Sequence, residues 1–180
     1  MKIILSLFIG AVLFASAANL YAQNGEITYI LLRHAEKDAS PTANKNDVDL
    51  SPAGRERALR LFETVKPYNP EQIFSTIFRR TRDTATPAAV NLNRDYRLMI
   101  QYYDYAEIEE FAERLLNSNA KTVLVVGHNN TTPQLANLLT GQTNKYQTLP
   151  ESEYTKIWII KIKRKNGKMM KVVEDKVITY

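Results

Sequence analysis

The sequence contains two histidines, His34 and His128, and each directly follows a short apolar run. The runs are Ile30-Leu31-Leu32 before Arg33-His34, and Val123-Leu124-Val125-Val126 before Gly127-His128. A run of apolar, largely β-branched or Leu residues that stops at a polar residue reads as a buried strand with its carboxyl end there. In open α/β sheets, ligands bind in the crevice beyond the carboxyl ends of the strands. Two strands would then deliver one imidazole each to the same edge, with the Arg33 guanidinium beside the first. A third strand, ending at Phe74-Ser75, leads within a few residues to Arg79-Arg80. Two imidazoles and two arginine sites on one edge suit a phosphorylated or otherwise anionic substrate, because the planar guanidinium fork can bond two phosphate oxygens at once. The bland alternative is two unrelated structural histidines. No carboxylate cluster and no Cys/His spacing suggests a metal, so the arginines would stabilise charge in its place. The helix predicted to start near Thr132 adds its positive end.

The elements that must position these groups follow from periodicity and punctuation. Glu26 to Leu32 is the first strand. Ser51-Pro52 opens a helix, with Ser51 as N-cap and Pro52 at the first helical position, and Pro67 closes it after the stripe Ala58, Leu61, Phe62 and Val65. Gln72 to Ser75 is a short strand. A helix runs from about Phe78, and Pro87 is expected to kink or break it. Arg97 to Ile100 is a candidate strand. Ala106 to Ser118 is a helix with an apolar face at Ile108, Phe111, Ala112, Leu115 and Leu116. Thr122 to Val126 is a strand, and a helix from Thr132-Pro133 stops at Gly141. The tail reads as a β-hairpin turning at Asn166-Gly167. Alternation of strands and helices makes this an α/β domain, with antiparallel strands from the late hairpin added to a mostly parallel sheet.

The chain has 180 residues, no cysteine and a formal net charge of +5. Lys2, the apolar run Ile3 to Ala15 and the small residues after it have the form of a secretory signal, with cleavage after Ala22 favoured; an uncleaved anchor is the alternative. Residues 23–180 would then form one domain, exported to the periplasm or secreted. No stable membrane span would remain after cleavage. Lysines crowd the tail, at 156, 161, 163, 165, 168, 171 and 176, with Arg164 among them. They alternate with apolar residues, the pattern of a strand with one wet face, and lysine on edge strands discourages sheet-to-sheet association. No aromatic stacking platform is interleaved there, which argues against a nucleic-acid partner.

Four stretches in order resemble the histidine phosphatase superfamily, the branch that includes cofactor-dependent phosphoglycerate mutases and small phosphohistidine phosphatases. Leu32-Arg33-His34-Ala35-Glu36 is similar to its Arg-His-Gly/Ala signature. The others are the helix start from Asp49 to Ala58, the segment from Ser75 to Ala85 and the Val-Gly-His segment from Val125 to Thr131. The resemblance implies a three-layer α/β/α sandwich and a phosphatase without metal or organic cofactor. It implies that His34 is the nucleophile that holds the phosphoryl group as phosphohistidine. Its other ring nitrogen should donate to a backbone acceptor. Arg33, Arg80 and His128 would bind the equatorial oxygens. Spacing to Thr84-Ala85 selects Arg80 rather than Arg79. Asp104 is the chosen general acid, with Glu36 and Glu107 as competitors, although Asp104 and Glu107 also read as a helix cap. Asn129 and Asn130 stand where many relatives have glycines. Ser40 stands where mutases carry a phosphate-binding Asn, which argues against a phosphoryl mutase. A non-catalytic anion-binding module is the other alternative. The substrate would be a phosphorylated small molecule or a phosphoprotein; its identity and the oligomeric state are not written in the sequence.

Overall fold

The computed structural model describes residues 24–41, 43–92, 100–166 and 168–180. The candidate export signal, residues 1–22, lies outside them, as do Arg97, Leu98 and Met99 of one candidate strand. Strand β1 (Gly25–Arg33) is followed by α1 (Pro52–Val65), β2 (Gln72–Ser75), α2 (Arg79–Leu92) and β3 (Ile100–Tyr102). Then come α3 (Ile108–Leu116), β4 (Thr122–Gly127), α4 (Thr131–Thr140), β5 (Lys156–Lys165) and β6 (Lys168–Thr179). The six strands form one sheet in the order β3-β2-β4-β1-β5-β6. The first four are parallel, and β5 and β6 add antiparallel to the β1 edge.

Side-chain alternation along the strands builds a core on each face. Ile27, Tyr29 and Leu31 of β1, with Val123 and Val125 of β4, pack against Phe111, Leu115, Leu135 and Leu139 of α3 and α4. Ile30 and Leu32, with Leu124 and Val126, pack against Leu61 and Val65 of α1 and Ala85, Ala88 and Ala89 of α2. The result is an α/β/α sandwich in three layers. β1 and β4 are apolar on both faces because both are covered.

Three local features differ from the sequence expectation. The helix does not break at Pro87 but runs on to Leu92. Proline removes one backbone donor, and the burial of Ala85, Ala88 and Ala89 on the sheet holds the turns on either side of it. The helix expected from Ala106 begins at Ile108, after a single 3₁₀ turn over Tyr105–Glu107 that Asp104 caps. Arg164 does not belong to a wet face. It is buried within the sheet, and its guanidinium donates to the Leu116 carbonyl at 2.7 Å, satisfying an orphan acceptor at the end of α3. The solvent-facing edge is β6, which carries the exposed Lys168, Lys171 and Lys176.

Two glycines are demanded by close approach. A Cβ on Gly54 would lie 2.1 Å from the Glu36 carbonyl oxygen, so only glycine lets the start of α1 lie against the segment leaving β1. Ser51 caps that start, accepting from the Gly54 amide at 3.0 Å. A Cβ on Gly127 would meet the Thr132 hydroxyl at 2.7 Å and the Tyr103 hydroxyl at 2.8 Å.

Candidate active site

β2, β4 and β1 are consecutive in the sheet, so their carboxyl ends at Ser75, Gly127 and Arg33 fall side by side. The His34 amide donates to the Gly127 carbonyl at 2.9 Å, tying the first histidine to the strand that carries the second. The two rings stand edge to face with centroids 5.5 Å apart. They share a cavity of about 310 Å³ with Arg33, Lys37, Phe78, Arg80, Tyr105, Asn129, Asn130 and Glu151.

The orientation of His34 is fixed by its own chain. Its Nδ1 lies 2.7 Å from the Ala35 carbonyl oxygen, which only accepts, so Nδ1 carries the proton and Nε2 is left bare. The ring is 3% exposed. Burial pushes its pKa down to about 3; the bond to Ala35 opposes this, and His128, Arg33 and Arg80 add to the fall. The imidazole is therefore neutral at neutral pH. His128 is also neutral, its pKa lowered to about 4 by burial first and then by Arg80 and Arg33. Its Nε2 is 3.1 Å from the Thr76 hydroxyl, which in turn lies 2.8 Å from Thr81. That buried hydroxyl relay occupies Nε2, leaving Nδ1 as the nitrogen free to meet a ligand. Phe78 and Tyr105 pack edge-on around the same ring at 5.5 and 5.8 Å.

Arg33 is 2% exposed. One terminal nitrogen donates to three carbonyls of the loop before β5, those of Pro150, Glu151 and Glu153. The other donates to the Glu151 carboxylate at 2.9 Å. The Tyr154 ring lies 4.1 Å from the guanidinium carbon, a cation–π contact. The Nε of Arg33 is buried with no hydrogen-bond partner, and so is the Nε of Arg80. Both arginines line the cavity, and leaving a buried donor unpaired is costly. Arg79 turns away and pairs with Asp49 at 2.8 Å.

The candidate acids go elsewhere. Asp104 accepts from the Ala106 amide at 2.9 Å and, with Glu107, lines a separate cavity of about 60 Å³ between the 3₁₀ turn and α3. It is its neighbour Tyr105 that reaches the imidazoles. Glu36 is held by Arg57 through a forked pair at 2.7 Å. The one carboxylate lining the cavity among the described residues is Glu151, which the sequence did not single out; it sits in an irregular loop with no strand end or motif to flag it. Among the described residues, no group of three His, Cys, Asp or Glu side chains could hold a metal ion.

The sequence model of the histidine phosphatase superfamily (branch 1) matches residues 29–102, which carry His34 and Arg80. Over those residues the chain is similar to the histidine phosphatase superfamily. A comparison with curated proteins finds no match. Among solved structures, several phosphatases superpose over nearly all of their own length. The protein histidine phosphatase SixA complexed with tungstate has a TM-score of 0.62 at 15% identity, covering 83% of this chain and 96% of that one. A mycobacterial glucosyl-3-phosphoglycerate phosphatase gives 0.63 at 15% identity, with 87% and 98% covered. A protein from Agrobacterium tumefaciens assigned as the phosphohistidine phosphatase SixA gives 0.55 at 22% identity, with 82% and 97% covered. At these identities the likeness is one of fold.

Proposed function

We propose that this protein is a histidine phosphatase, and that it hydrolyses a phosphomonoester or related phosphoryl compound in two steps through phospho-His34. The observation that carries the reading is the bare Nε2 of His34, fixed by the Ala35 carbonyl, in a cavity lined also by the second imidazole and by Arg33 and Arg80. In the first step the Nε2 lone pair attacks phosphorus as the bond to the leaving oxygen or nitrogen breaks. Arg33 and Arg80 supply donors to the equatorial oxygens, where charge accumulates, and His128 Nδ1 adds a third. In the second step water attacks phosphorus, the P–N bond breaks and inorganic phosphate leaves.

Proton delivery to the leaving group limits the substrate. Partial burial pushes the Glu151 carboxyl up, but attraction and hydrogen bonding from Arg33, with Lys37, outweigh that and hold it below the usual range. An ionised carboxylate is a poor general acid. Aryl phosphates and acyl phosphates, whose leaving oxygens depart as stabilised anions, should therefore react faster than simple alkyl phosphates.

The test is a rapid quench with a radiolabelled aryl phosphate. Acid-labile, alkali-stable label on His34 is expected, together with loss of label and of phosphate release in His34→Ala. Undiminished release from His34→Ala would remove the mechanism. We also propose export with removal of residues 1–22, which amino-terminal sequencing of the protein from an extracytoplasmic fraction would check. No helix among the described residues is long and apolar enough to cross a membrane.

A further inference from the structure

Glu151 places a negative charge where phosphate chemistry would not ask for one. Its side chain is 67% exposed, whereas His34 and Arg33 are buried, so the imidazoles form the floor of the cavity and Glu151 its mouth. A group attached to a phosphoryl on His34 would extend into the opening that Glu151 borders. The carboxylate is fixed from three sides: by Arg33 at 2.9 Å, by the Asn129 amide at 3.0 Å and by Lys37 at 3.6 Å. It is thus a built part of the wall.

The charges of the cavity balance in a telling way. Three cations line it, Arg33, Lys37 and Arg80, and both imidazoles are neutral. The two charges of a phosphoryl dianion, together with Glu151, match those three. No positive charge remains for a second anionic group on the substrate, and one brought to the mouth would face Glu151. The space beyond has the same character. A groove of about 450 Å³ runs from Asn130, which also borders the cavity, along α4 and the loop after it. Amides of Gln134, Asn137, Gln142, Asn144 and Gln147 border it, and none of its lining residues is charged.

We propose that Glu151 is a specificity-determining residue that makes the enzyme select phosphoryl compounds whose leaving part is uncharged or cationic, and reject those bearing a further carboxylate or phosphate. The inference rests on the phosphatase reading for its kinetic form. Selection of this kind acts by repulsion of the wrong substrate as much as by attraction of the right one.

The experiment uses three aryl phosphates that differ only at the para position: carbamoyl, carboxylate and trimethylammonium. For the wild type, kcat/KM for the carboxylate should be about tenfold below that for the carbamoyl compound, the scale expected for like charges several ångströms apart at a wet cavity mouth. The trimethylammonium compound should equal or exceed the carbamoyl one. In Glu151→Gln the three should converge to within about twofold. A wild type that prefers the carboxylate, or an ordering that survives in Glu151→Gln, overturns the proposal. An equal loss on all three substrates with the ordering retained would mean that Glu151 only positions Arg33. Calorimetric binding of the matching aryl phosphonates reads the same ordering without turnover. Absent phosphate release with the ordering present in binding would therefore remove the phosphatase reading and leave the selectivity standing.

Discussion

At the residue scale, the site turns on two neutral rings. Both histidines titrate below the ordinary imidazole value in the folded protein, to about 3 and about 4. The unfolded chain takes up their protons first as pH falls, so stability is full above roughly pH 6.5 and is lost on the way down toward those values. Urea unfolding from pH 7.5 to 4.5 should show a loss on the order of 5 kcal/mol for the wild type and a flatter profile for a His34→Gln, His128→Gln double variant. Asp104 separates capping from catalysis. Its side chain closes a 3₁₀ turn outside the imidazole cavity. Asp104→Asn should keep kcat within about threefold, because Asn caps as well as Asp, whereas Asp104→Ala should cost about 1 kcal/mol in a denaturation midpoint. A hundredfold fall in kcat for Asp104→Asn would restore it as the proton donor.

At the element scale, backbone contacts with no slack place the site. Gly54→Ala forces a methyl group into the Glu36 carbonyl, so α1 or the segment after His34 must move. We expect a loss of about 2 kcal/mol or more in stability, with activity falling further than stability alone explains, measured by thermal melt beside kcat/KM. The strands that carry the histidines were legible because both of their faces are buried, leaving an unbroken apolar run that ends at the functional residue. The start of α1 was legible from Ser51-Pro52. Other features were invisible for physical reasons. Pro87 reads as a break, since a local rule cannot see that the sheet holds the helix on both sides of it. Arg164 reads as one more tail cation, since only the tertiary fold brings the end of α3 to it. Tyr105 and Glu151 reach the cavity from a 3₁₀ turn and an irregular loop, where sequence has no period to follow. Asp104 was one residue away from the side chain that lines the site.

At the scale of the whole molecule, three cations lining one cavity against a single carboxylate should make an anion a stabilising ligand. Inorganic phosphate or tungstate should raise the melting temperature, by about RT ln(1 + [L]/Kd) expressed as free energy, and Arg80→Ala should abolish most of the rise. Screening by 0.5 M sodium chloride should shrink the effect without removing it, because the unpaired nitrogens are enclosed. The order β3-β2-β4-β1-β5-β6 carries one more consequence. The strand at the centre of the parallel group begins at residue 122 of 180, and β1 and β2 touch the sheet's middle only through it. During synthesis, then, two-thirds of the polypeptide emerges before its middle plank exists; until then β1 has no partner strand and β2 has only the short β3. A fragment ending at Lys121 should show the circular dichroism of an unfolded chain. Commitment to the native state is deferred to the last third of translation.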